Sequence, residues 1–208
     1  MSYGFESINQ DGIVQIDDNF RCHLHSASGT IGAGTTTINF TNQSSCPMIF
    51  VKCASGVYTA PYIITTNSVT IFANGTVDYI VYGLDNPTPT ASGTYGLQVR
   101  DGSGVVTYDS RYRTPRIQTT VMANLPATPA YPYTYSTPVG ADWFLLNSML
   151  FIEDENASTI CANLYNGVLT IRCGIFMYGQ WTWFTNNGSS GTYTTNYPGN
   201  KMRIPISK

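Results

Sequence analysis

Charge is what this chain has least of. Ten Lys and Arg and twelve Asp and Glu make up 11% of its 208 residues, against about 25% in an average soluble domain. With 42% hydrophobic residues and a net charge of -2, it is not a disordered polyelectrolyte, which needs low hydrophobicity and high charge together. It also lacks the basic face that holds phosphates, so nucleic acid is not an expected partner. Long apolar runs are missing too. Stretches such as Trp143 to Leu146 fall far short of the roughly 20 residues that span a bilayer, and no membrane insertion is expected. The opening Met1-Ser2-Tyr3-Gly4-Phe5-Glu6 has neither the basic nor the apolar region of a secretory signal. The expectation is a chain made in a cytoplasm that stays there or leaves as part of something larger.

Catalytic signatures are absent as well. The sequence holds no GxSxG, Walker A or HExxH pattern and no catalytic Cys context, so covalent, phosphoryl and zinc chemistry lack candidate residues. The expectation is not an enzyme, with no catalytic residue and no cofactor. Five Cys (Cys22, Cys46, Cys53, Cys161, Cys173) form an odd set with no CxxC. Buried free thiols are the plain reading, since free Cys packs as a small hydrophobe. Asn-x-Ser/Thr triplets such as Asn74-Gly75-Thr76 are chance matches if the chain is not secreted.

Thr, Ser, Asn, 19 Gly and 15 Tyr fill the space that charge leaves. That mixture suits strands and tight turns and disfavours helices, so the fold class is all-β. Tyr3–Ile8, a turn at Asn9–Gly12 and Ile13–Asp17 read as a hairpin. Short β-rich runs follow at Phe20–His25, Thr35–Phe40, Pro47–Cys53, Val57–Ile64, Ser68–Phe72 and Val77–Tyr82. Strands this frequent imply a sandwich or barrel.

Comparing the chain with itself reveals a repeat. Tyr3–Arg21 recurs 92 residues on, without a gap, as Tyr95–Arg113. Tyr3, Gly4, Gly12, Val14, Asp17 and Arg21 have identical partners in Tyr95, Gly96, Gly104, Val106, Asp109 and Arg113. Weaker matches pair Met48–Val51 with Met149–Ile152, Val69–Ile71 with Leu169–Ile171, and Ile80–Gly83 with Phe176–Gly179. The reading is two tandem β-sandwich domains related by internal duplication, residues 1–92 and 93–208, with Leu84–Gly93 as a Pro/Thr/Ser-rich linker. The second copy adds a Pro/Tyr-rich arm, Leu125–Pro138, and a Trp-rich tail after Gly179. Its prolines forbid a central strand in the arm.

The Met-Ser-Tyr-Gly-hydrophobic opening, with the hairpin Asn9–Asp17 repeated at Tyr95–Asp109 and strands ending in Tyr82-Gly83 and Tyr178-Gly179, resembles small virion proteins in the tail-tip, baseplate and fibre modules of long-tailed bacteriophages. The resemblance lies at the ends of both copies and carries no catalytic residue. It implies a structural role in a phage tail or a role in host receptor binding. The implied partners are other tail proteins, further copies of the chain (a homo-oligomer, with a trimer favoured) and a bacterial surface receptor or glycan. The implied location is the virion tail, reached from the host cytoplasm during assembly.

Several constellations bear on binding. His23 and His25 sit two apart, so on a strand both imidazoles face one side. Two ligands fall short of a tetrahedral metal site, but a three-fold axis would supply enough nitrogens. Phage fibre and spike proteins use such His-x-His pairs. Surface histidines on an edge strand are the plain alternative, and the repeat has Pro115 and Ile117 at these places. Glu153-Asp154-Glu155 is either a Ca²⁺ ligand set or a solvated loop. Asp17 and its twin Asp109 suit turn or strand-end roles, their side chains bonding nearby backbone N–H groups. Trp181 and Trp183 share a strand face, a platform on which a sugar ring could stack, or else core or subunit interface. Tyr131, Tyr133 and Tyr135 form a rigid contact surface for a partner or pack against the chain itself. The rival function, resting on the aromatics and the Asn/Thr-rich loops, is a free carbohydrate-binding module or lectin.

Overall fold

Runs of Thr, Val, Ile and aromatic residues pack best on a pleated, half-buried surface, and they set the order of elements. The computed structural model describes residues 6–8, 14–17, 23–40, 47–84, 96–104, 106–124, 133–138, 140, 142–148, 158–177, 180–183 and 201–207. In chain order the strands are β1 (Glu6–Ile8), β2 (Val14–Asp17), β3 (Leu24–Ile31), β4 (Gly34–Asn39), β5 (Met48–Cys53), β6 (Thr59–Ile64), β7 (Ser68–Ala73) and β8 (Val77–Gly83). Then come β9 (Gln98–Arg100), β10 (Val106–Asp109), β11 (Ile117–Asn124), β12 (Tyr133–Ser136), β13 (Trp143–Leu145), β14 (Ser158–Tyr165), β15 (Val168–Met177), β16 (Gln180–Trp183) and β17 (Lys201–Ser207). A single 3-10 turn, Leu146–Ser148, is the one helical element among the described residues. The all-β class expected from composition is what the chain adopts.

The strands form two small hairpins and two large antiparallel sheets. The six-stranded sheet has the order β11-β17-β13-β5-β8-β3. The seven-stranded sheet runs β12-β15-β14-β6-β7-β4, with β16 also paired to β15. The sheets share one buried cluster, in which Ile49, Val51, Val77 and Val81 from the first meet Val69, Ile71, Leu169 and Ile171 from the second. Burying such a side chain fully is worth about 1.5–3 kcal/mol. Phe50, Tyr82 and Leu24 are also buried but stand outside that cluster. Phe50 and Tyr82 meet edge to face with centroids 5.8 Å apart.

Segments on either side of residue 92, expected to form two tandem sandwiches, contribute to the same sheets. Strands β3, β8 and β5 meet β13, β17 and β11 at the pairing of Phe144 with Val51 and Leu145 with Phe50. In the other sheet β4, β7 and β6 meet β14, β15 and β12 where Ala162 pairs with Thr59. Alone, the first half would leave bare edges on β5 and β6 and the second on β13 and β14, and joining covers all four.

The order of elements is parallel in the two halves. The hairpins share a register: Glu6 opposite Asp17 and Ile8 opposite Val14 in the first, Gln98 opposite Asp109 and Arg100 opposite Val106 in the second. Strands β3 and β11 each carry an irregularity in their pairing, between His25 and Ala27 in one and Ile117 and Thr119 in the other. The weaker sequence matches fare unevenly. Val69–Ile71 and Leu169–Ile171 both lie in the seven-stranded sheet, on β7 and β15. Phe176 and Met177 continue β15, whereas Ile80–Gly83 belongs to β8 in the other sheet. The segment Met149–Ile152 lies outside the described residues.

Candidate functional site

The aromatic arm and tail converge on one strand. Because β14 takes one edge of β15, both β12 and β16 line its other edge. Strand β12 pairs Tyr133 with Ile171 and Tyr135 with Leu169. It is an edge strand, consistent with the prolines around it. Tyr135 packs against the main buried cluster, while Tyr133 is 38% exposed. Farther along β15, β16 sets Trp181 opposite Phe176 and Trp183 opposite Gly174. Tyr131 lies outside the described residues.

The histidine pair straddles the start of β3. Leu24 between them is buried. His25 sits opposite Tyr82, their rings edge to face at 6.4 Å, and its backbone N–H donates to the Arg113 carbonyl at 3.0 Å. Burial, with the Arg113 charge, lowers the His25 pKa. Among the described residues no three His, Cys, Asp or Glu gather closely enough to hold a metal ion. Glu153–Glu155 lies outside those residues.

Asp109 closes β10 as expected of a strand-end carboxylate. It is fully buried and accepts the Arg111 backbone N–H at 3.0 Å, the Arg111 guanidinium, and the Gln98 amide at 2.9 Å. Hydrogen bonds from the Arg111 side chain lead the causes that hold its pKa down at about 2. In the first copy the residues matching Arg111 and Gln98 are Asn19 and Glu6, which do not supply the guanidinium and amide donors that Asp109 accepts.

A cleft that no sequence motif marks lies where β5, β8 and β14 end or begin. It has a volume of about 360 Å³ and is built from both halves of the chain. Lys52, Asp78 and Thr76 come from the first half; Asp142, Tyr165 and Asn166 come from the second. Lys52 Nζ donates to Asp142 Oδ2 at 2.9 Å, and each side chain is 42% exposed. Asp78 Oδ1 accepts the Thr30 hydroxyl at 2.7 Å. Cys53 and Leu164 are buried at its base, and burial pushes the Cys53 thiol up to about 12, so it is no nucleophile. Tyr165 is 44% exposed and stands just before a tight turn. Asn166 and Gly167 in that turn have φ of 50° and 73°, the left-handed pair that a two-residue hairpin loop requires. The Asn-Gly dipeptide is the sequence signal that locates Tyr165 beside a turn.

No family model, no curated protein and no solved structure matches this chain.

Proposed function

We propose that the chain is a structural, non-enzymatic subunit of a bacteriophage tail, placed in the baseplate, tail tip or fibre, which assembles as a homo-oligomer with other tail proteins and contributes to host receptor binding. The observation that carries the reading is the repeated hairpin. The residues that resemble tail proteins are those whose strands recur with the same register in both halves.

The sheet edges support a role in assembly. Strand β11, Ile-Gln-Thr-Thr-Val-Met-Ala-Asn, is an edge strand with no charge and no proline, and its Ile117 and Met122 are 49% and 48% exposed. Edge strand β4, Gly-Thr-Thr-Thr-Ile-Asn, is equally uncharged. Lone proteins commonly blunt such edges with Lys or Pro, which both strands lack, although the pairing of β11 is irregular between Ile117 and Thr119; a subunit's edges are covered by its neighbours.

A phage lacking the chain tests the proposal. The expected outcome is particles with incomplete or non-adsorbing tails, restored when the chain is supplied in trans. Fully infectious particles would leave the second reading, a free lectin, which the exposed Tyr165 at a cleft also lined by Lys52, Asp78 and Asp142 favours.

A further inference from the structure

The geometry points to the cleft between Lys52, Asp78, Asp142 and Tyr165 as a binding site for an uncharged saccharide, one or two pyranose rings in length. Its volume, about 360 Å³, sits at the lower end of the roughly 300–1,000 Å³ typical of small-molecule sites. The lining divides as a sugar requires. Tyr165 offers an exposed aromatic ring for the C–H face of a pyranose. Asp78 and Asp142 offer carboxylate oxygens to hydroxyl donors, and the Lys52 ammonium, with three N–H groups and one bond to Asp142, donates to hydroxyl oxygens.

Electrostatics narrows the ligand. Lys52 is matched by Asp142, and Asp78 adds a second carboxylate, so the three charged groups sum to one negative charge. A phosphate, sulfate or uronate would be repelled, while a neutral polyol loses nothing.

The site is also held in shape before any ligand arrives. The Lys52–Asp142 pair ties β5 to the residue preceding β13. The turn that carries Tyr165 is fixed by the Thr137 N–H donating to the Gly167 carbonyl at 2.7 Å. Holding the bound conformation beforehand removes part of the ordering cost of association.

The inference stands apart from the tail reading, because the purified chain alone tests it. Titration of the intact chain by NMR with the methyl glycosides of glucose, galactose and N-acetylglucosamine should show saturable binding of at least one, with Kd about 1 mM. Methyl glucuronide should bind more weakly. Tyr165→Ala and, separately, Asp78→Asn should each weaken binding about tenfold with unchanged melting temperature. No saturable binding by any neutral glycoside, tighter binding of the glucuronide, or unaltered affinity in both variants would overturn the assignment.

Discussion

Two asparagine side chains, Asn147 half-buried and Asn163 buried, show most directly how the sandwich is joined. Asn147, in the 3-10 turn after β13, accepts the Ile49 N–H on Oδ1 at 2.8 Å and donates from Nδ2 to the Pro47 carbonyl at 2.6 Å. Its amide thus continues the ladder along β5 where β13 stops. Asn163 does similar work on β14, donating to the Ala54 and Val57 carbonyls at 2.8 and 2.5 Å. Both asparagines come from the second half and satisfy backbone of the first. Nothing in their sequence context marks them, since their partners are more than ninety residues away. Asp109 was readable because its bonds are local and it recurs as Asp17. Asp109→Ala would remove the acceptor that the Gln98 and Arg111 donors share, and denaturant unfolding should show a loss of about 1 kcal/mol. The carboxyl ordinarily titrates near 3.8 and here near 2, so the unfolded state takes up its proton first on acidification. Its contribution to stability is present above about pH 4 and lost as pH falls toward 2. Unfolding followed across that range should show the loss in the native chain, and the Asp109→Ala variant should show a shallower one.

At the scale of elements, strands with alternating or continuous apolar runs were legible and those built around exceptions were not. The expected run Pro47–Cys53 contains β5, and Ser68–Phe72 and Val77–Tyr82 fall within β7 and β8. Of the run expected at Phe20–His25, residues 20–22 lie outside the described residues, and β3 starts at Leu24 and runs through Ser26-Ala27-Ser28-Gly29, a loop-like composition. Gly29 belongs there because the Tyr79 ring lies over it; a Cβ at Gly29 would come within 2.9 Å of the Tyr79 hydroxyl. The β14–β15 hairpin makes a sharper prediction. At Gly167 φ is +73° and a Cβ would meet the Thr137 carbonyl oxygen at 3.3 Å. Gly167→Ala should therefore destabilise by about 1–2 kcal/mol, read as a lowered melting temperature. For the aromatic arm and tail, Trp181→Ala and Trp183→Ala should reduce host adsorption while particles still assemble. Failure of assembly would make these residues subunit contacts instead.

For the whole molecule, the low charge that opens the sequence acquires a structural setting. Two sheets and one buried cluster draw on both halves, and uncharged edges border them at β11 and β4. The hairpin repeat was visible because it is local and gapless. Which strands would neighbour which was not, because register across the β5–β13 and β6–β14 seams depends on residues about a hundred positions apart. Residues 1–92 and 93–208 expressed separately should each lack a cooperative unfolding transition, and mixing them should restore one; a cooperative transition in either piece alone would show a self-sufficient sandwich. The tail assignment has its most direct test in electron microscopy of purified phage particles carrying a gold-labelled, tagged copy of the chain. Label confined to the tail end is the predicted result, and particles free of label would contradict it.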